Sequence, residues 1–119
     1  MTVCLLLSLS GHAQDVIEVG EVMLRPQAID YAPAYFKNGF VMCSMRERDQ
    51  LISYEQKGSA DPFSDMYFVP WDGSNAGKPS LLDEAFVTPV HDGPATFSAN
   101  EQVICFTRNQ EIPKWPVAK

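Results

Sequence analysis

Pro33-Ala34-Tyr35-Phe36, then the turn Lys37-Asn38-Gly39, then Val41-Met42-Cys43-Ser44-Met45-Arg46: the chain writes this succession twice. Pro94-Ala95-Thr96-Phe97 repeats the first piece 61 positions on, and Val103-Ile104-Cys105-Phe106-Thr107-Arg108 repeats the second 62 positions on. The extra residue falls in the turn, where Ser98-Ala99-Asn100-Glu101 replaces Lys37-Asn38-Gly39. Each copy runs from a short extended segment with an aromatic residue, through polar residues, into a strand of β-branched and sulfur-containing residues that ends near an Arg. That is the pattern of a β-hairpin, and Asn38-Gly39 is expected to supply the positive φ angles of a tight turn. A hairpin repeated at such a period marks stacked β modules, a solenoid or a propeller.

The residues between the copies continue in the same style. Ser64-Asp65-Met66-Tyr67-Phe68-Val69-Pro70-Trp71 is aromatic and β-prone and closes on the turn cluster Asp72-Gly73-Ser74-Asn75, which predicts a third strand. Ser80-Leu81-Leu82-Asp83-Glu84-Ala85-Phe86 suits a short helix as well, but in this context reads better as a fourth strand or the approach to one. Arg46 to Phe63 is a polar loop, with Leu51-Ile52-Ser53-Tyr54 extending the second strand, and Pro113 and Pro116 discourage strands beyond the second hairpin. Composition agrees: 9 Pro and 7 Gly in 119 residues interrupt the apolar runs and favour short strands over long helices. A hydrophobic fraction of 45% against 20% charged residues excludes wholesale disorder, and a net charge of −6 with scattered basic residues excludes a nucleic-acid partner.

His91-Asp92-Gly93-Pro94-Ala95-Thr96-Phe97-Ser98 with Val103 to Asn109 resembles the TolB-type, WD-like β-propeller repeat of OmpA-family envelope proteins of Bacteroidota. Tyr31-Ala32-Pro33-Ala34-Tyr35-Phe36 with Gly39 to Arg46 is similar to the preceding repeat, and Asp65 to Val69 with Asp72-Gly73 resembles that repeat's third strand. The family's Asp-Gly hairpin turn is Asn38-Gly39 in one copy and Asn100-Glu101 in the other. The likeness covers residues 28–110, with repeats near 28–86 and 89–110 of a segment 14–119. It implies an all-β fold, a fragment of a β-propeller with about one and a half four-stranded antiparallel blades. In such proteins the propeller commonly precedes a peptidoglycan-binding OmpA-like domain, and relatives take part in type IX secretion and gliding. No trace of that domain is present, so the resemblance implies architecture and an envelope address. Propellers use about four to eight blades, so the rest is expected from a longer reading frame or a partner chain.

The N-terminal residues support export. Val3-Cys4-Leu5-Leu6-Leu7-Ser8-Leu9-Ser10 is an apolar run too short to span a bilayer, and Gly11 and Ala13 are small residues suited to signal-peptidase cleavage. Residues 1–13 are therefore read as a signal peptide, with the protein in the periplasm or associated with the outer membrane and without a transmembrane span. Cys43 and Cys105 remain after cleavage, both inside apolar strands, and are expected to be buried and unlinked.

Candidate chemistry is sparse. His12 leaves with the signal, so His91 alone assembles no two-histidine metal site, and no cofactor, metal or catalytic residue is assigned. A Cys or Ser nucleophile with His91 and Asp92 matches neither a nucleophile elbow nor a papain-like pattern. Asp61, Asp65 and Asp72 lack the alternating Asp/Asn loop of an EF-hand and read as solvated loop carboxylates. Arg46 and Arg108, at matching places in the two copies, are candidate contacts that either anchor neighbouring loops or bind a carboxylate. Trp115, between two prolines, is a third candidate contact, whereas Trp71, Tyr67, Phe68, Tyr35, Phe36 and Phe97 are expected to be core by alternation. The expected function is a non-enzymatic envelope interaction or scaffolding module, whose partner is an envelope protein or the missing blades. The alternatives are the propeller portion of a secreted prolyl-oligopeptidase-like hydrolase and a sugar-binding module with exposed aromatics.

Overall fold

The computed structural model describes residues 15–48 and 61–110. Residues 1–13, expected to be a signal peptide, lie outside the described residues, as do Leu51 to Tyr54, Pro113, Trp115 and Pro116. Those described form an all-β protein. A four-stranded antiparallel sheet runs in the order β1 (Asp30–Phe36), β2 (Gly39–Ser44), β3 (Asp65–Pro70), β4 (Ser80–Leu81). A separate two-stranded sheet pairs β5 (Asp92–Phe97) with β6 (Ile104–Arg108). Both repeated segments are thus antiparallel hairpins, and the intervening strand pairs next to the first of them.

The first turn forms one residue earlier than Asn38-Gly39 suggests. Lys37 takes the left-handed conformation (φ 50°), while Gly39 is already the first residue of β2. Glycine is required there for space, since a Cβ at position 39 would collide with the carbonyl oxygen of Val69 and press against the Phe68 ring. In the second hairpin Glu101 is the left-handed residue (φ 58°), and the Lys37 N–H donates to its Oε1 at 2.7 Å, joining the two turns. Each leading strand also carries an irregularity of register before the Pro of the repeated motif. It lies between Tyr31 and Ala34 in β1 and between Asp92 and Ala95 in β5, with positive φ at Ala32 and Gly93.

The expected fourth strand is mostly something else. Only Ser80 and Leu81 pair with β3, after which Asp83 accepts from the Ala85 N–H and starts a short 3-10 turn over Glu84–Phe86. Its purpose is visible in the packing: Phe86 meets Phe106 edge to face at 5.1 Å, so the segment leaves the sheet to support the second hairpin.

Register assigns the two faces of the large sheet. Val41, Cys43, Met66 and Phe68 share one face, and the second hairpin covers it: a Cβ at Gly93 would strike the Cys43 sulfur, and Phe36 stacks on Phe97 at 4.2 Å. Phe40, Met42, Tyr67 and Val69 share the other face, where Met42, Tyr67 and Val69 form a cluster joined by Leu24, Ala76 and Leu81. Burying both faces explains why β2 is almost wholly inaccessible and why its sequence is continuously apolar rather than alternating.

The Phe36–Phe97 stack follows from the change in repeat offset. Asp30 and Asp92 are 62 positions apart but Pro33 and Pro94 only 61, because one residue is missing between Asp and Pro in the second copy. A one-residue shift turns a strand's side chains to the opposite face. Phe97 therefore points back at the first sheet and meets Phe36, instead of repeating its direction.

Candidate functional site

The most elaborated chemistry is a polar seam at one end of the two sheets. In the first copy the Arg46 guanidinium donates to both carboxylate oxygens of Asp30, at 2.8 and 2.9 Å, and to Ser44 Oγ, while lying 5.3 Å above the Tyr67 ring. In the second copy Arg108 holds Asp92 through a two-nitrogen fork, Nε to Oδ1 at 2.5 Å and Nη2 to Oδ2 at 3.1 Å, where Arg46 uses Nη2 alone on Asp30. Both Asp–Arg pairs span the same sequence separation, so the repeat extends to a charge pair at the base of each hairpin. A forked guanidinium–carboxylate contact fixes orientation as well as distance, which suits a clamp across a strand pair.

A third pair joins the copies. Arg48 grips Asp65 through Nε and Nη2 at 2.5 and 2.6 Å and also donates to the Thr88 carbonyl at 3.2 Å. Thr88 Oγ1 in turn donates to Asp92 Oδ2 at 2.9 Å, and the Asp92 N–H donates to the Ser64 carbonyl. His91 accepts from the Ser64 N–H at Nδ1, with its ring 5.2 Å from that of Phe63. Ser64 Oγ receives the Tyr31 hydroxyl and donates to the Asp92 carbonyl. The hydroxyls and imidazole in this seam act as struts between β1, β3 and β5.

Burial sets the electrostatics. Asp65 is fully inaccessible, and burial pushes its carboxyl above the usual range despite the opposing pull of Arg48. The expectation of a solvated loop carboxylate is therefore wrong for Asp65: it is the first residue of β3, opposite Ser44, and is held by Arg48. Asp72 does lie in an exposed turn, where the Asn75 and Ser74 N–H groups hold its carboxyl below the usual range. Burial also pushes the Cys43 thiol up, and Asp92's hydrogen bond raises Arg108 further.

The predicted contacts divide three ways. Arg46 is 7% exposed, with its guanidinium spent on Asp30 and Ser44, and Arg108 is 40% exposed at the side chain but bound to Asp92. Trp115 lies outside the described residues. Both cysteines are free, yet Cys105 is exposed rather than buried because no described strand covers β6 as β3 covers β2. Tyr35 is 87% exposed, against the expectation that it is core, since β1 is the edge strand of its sheet and Tyr35 lies outside the cluster of Met42, Tyr67 and Val69 that shares its face. Asp30, Asp92 and Arg48 were missed as partners, although the matched spacing of Asp30 to Arg46 and Asp92 to Arg108 carried the signal for the first two.

A groove of about 660 Å³ lies on the outward face of the large sheet, lined by Tyr31, Tyr35, Phe40 and Trp71 and closed on one side by Val22 and Met23. Among the described residues no group of three or more His, Cys, Asp or Glu side chains is placed to hold a metal ion, and no helix is long and apolar enough to cross a membrane. Comparisons of the chain with protein-family models, with curated proteins and with solved structures found no match.

Proposed function

We propose that the chain is a segment of a β-propeller built from TolB-like repeats, acting as a non-enzymatic interaction or scaffolding module of the cell envelope. The observation that carries this reading is the docking of the second hairpin on the face of a four-stranded meander, with Phe36 stacked on Phe97 and the two turns joined through Lys37 and Glu101, in the manner of one blade against the next. The same packing leaves β6 with an open edge among the described residues, and an open edge is a pairing surface. The Asp–Arg clamps support a structural use of the polar residues, since each charge is directed at another part of the fold. The small-residue pattern at Gly11 and Ala13 supports export to the periplasm or outer membrane.

Fractionation of cells expressing the tagged full chain, with capture from the envelope fraction, tests the proposal. The expected result is a chain beginning near Gln14, held in a complex with an envelope protein. A chain starting at Met1 and found alone in the cytosol overturns the address. Ester or peptide turnover abolished by His91→Ala overturns the non-enzymatic role.

The outward groove favours a second reading, a sugar-binding module, because Tyr35 and Trp71 offer ring faces beside the polar groups of Gln27 and Glu21. Titration with oligosaccharides, followed by Trp71 fluorescence, decides it: saturable quenching lost in Tyr35→Ala supports a sugar site, and a flat response excludes one.

A further inference from the structure

We infer that two copies of this chain associate by strand donation, with residues 15–19 of one copy pairing antiparallel along the β6 edge of the other. Two surfaces lack cover among the described residues. Asp15-Val16-Ile17-Glu18-Val19-Gly20-Glu21-Val22-Met23 belongs to no strand, and Val16, Ile17 and Val19 are 84%, 85% and 93% exposed. Among the described residues β6 pairs only with β5 and leaves one edge open, with Val103 beside it 62% exposed. A β-prone extended segment and an unpaired strand edge are complementary in backbone hydrogen bonding.

Side chains choose the register. Antiparallel pairing with Asp15 opposite Arg108 places Ile17 opposite Phe106 and Val19 opposite Ile104. Those two apolar pairs fall on the side of the hairpin that carries Ala95 and Phe97, which faces the large sheet. Val16 then faces Thr107 and Glu18 faces Cys105 on the outer side, both exposed positions. Moving the segment by two residues in one direction sets Ile17 against Arg108, and in the other sets Asp15 against Phe106. Each alternative keeps one apolar pair where the first alignment has two, so alternation selects one alignment. Arg108, 40% exposed at its side chain and bound to Asp92, is the residue that this alignment sets opposite Asp15.

The route of the chain makes the donor a second copy. Leu24, directly after the segment, packs on the outward face of the large sheet with Met42, Tyr67 and Val69. The second hairpin is docked on the opposite face, against Cys43 and Met66. The segment therefore leaves its own molecule on the side away from its own β6. Reciprocal donation closes a two-fold dimer, in which each copy gives a strand and receives one.

Cross-linking and sedimentation of the full chain test the inference. In a Cys4→Ser background, Glu18→Cys should oxidise to a disulfide with Cys105 of another copy, because directly opposed residues of an antiparallel pair lie about 4.5–5.5 Å apart at Cα, within reach of a disulfide. Peptide mapping should find the 18–105 bond in a covalent dimer, and Val16→Cys should give far less of it. Sedimentation velocity should show a concentration-dependent dimer whose dissociation constant rises at least about tenfold in Ile17→Asp, the scale of about 1.4 kcal/mol. Ile17 is exposed in the single copy, so an unchanged melting temperature at monomeric concentration certifies that the variant still folds. A chain that stays monomeric at every concentration overturns the inference, and so does an 18–105 bond within one copy. A 105–105 bond in the unsubstituted chain, which would place β6 against β6, overturns it as well.

Discussion

The β1–β2 and β5–β6 hairpins share a motif, a positive-φ residue before Pro, a left-handed turn residue and an Asp–Arg clamp at the base, yet they differ sharply in burial. Five of the six residues of β2 are inaccessible, whereas no residue of β6 is fully buried and three of its five are exposed. The difference comes from neighbours. β2 has β1 and β3 on its edges and the second hairpin on its face, while among the described residues β6 has β5 on one edge and Phe86 against Phe106. A strand's burial is set by the sheet that receives it, and Cys43 and Cys105, matched in sequence, show the consequence.

The ion pairs give the largest expected effects and break the symmetry in an instructive way. In the first clamp the more buried member is Arg46, at 7% against 16% for Asp30; in the second it is Asp92, at 0% against 40% for Arg108. Removing the partner of the deeper charge strands it, which costs about 3–5 kcal/mol in a buried pair. Asp30→Ala and Arg108→Ala should therefore be the severe substitutions, with Arg46→Ala and Asp92→Ala milder in urea denaturation. Equal effects for all four would mean that the two clamps sit in equivalent surroundings.

Two glycines give a smaller contrast. Gly93 and Gly73 both have positive φ, at 91° and 97°, but a Cβ at 93 meets the Cys43 sulfur whereas one at 73 meets open space. Gly73→Ala should lose about 1–2 kcal/mol, the left-handed strain alone. Gly93→Ala should lose more and expose Cys43 as the hairpin lifts. Similar melting temperatures for the two variants would place the second hairpin away from the sheet.

Thiol reactivity sharpens the same comparison without changing the sequence. Cys105 should alkylate promptly at neutral pH, while Cys43, buried and with its thiol pushed upward, should react only on unfolding. Peptide-resolved mass spectrometry reads both positions in one sample.

The smallest effect belongs to Asp72. Its carboxyl is held below its ordinary value of about 3.9 by backbone donors, so its contribution is present above that value and fades as pH falls through the lower folded one. Asp65 runs the other way. Raised by burial, it favours folding in its protonated form, so its contribution is full below about pH 3.9 and declines as pH rises through the folded value. In acid titrations followed by circular dichroism, Asp72→Asn should slightly weaken the pH dependence on the acid side, leaving the rest of the curve in place.

Much of the strand layout was legible because hairpin motifs are local. The repeated Pro-Ala-x-Phe and the sulfur-rich strands located four of the six strands, and Asp65 to Pro70 a fifth. What remained hidden depended on contacts distant in sequence. Gly39 looks like a turn glycine, but Val69 and Phe68 require it; Asp65 looks like a loop acid, but Arg48 and β5 enclose it. The Asp–Arg clamps were half visible: Arg46 and Arg108 stood out, and their carboxylate partners, 16 residues earlier in each copy, did not. Tyr35 was misjudged because alternation identifies which residues share a face and leaves open how far toward the edge strand that face is covered.

Face-to-face stacking of the second hairpin on the first sheet is the account's central claim, and proton NMR of the full chain with labelled phenylalanine tests it directly. The rings of Phe36 and Phe97, 4.2 Å apart, should give strong cross-peaks, joined by contacts between Gly93 and Cys43. Cross-strand signals within each hairpin, with no signal between Phe36 and Phe97, would show two hairpins that fold without docking and would contradict the stacked repeat.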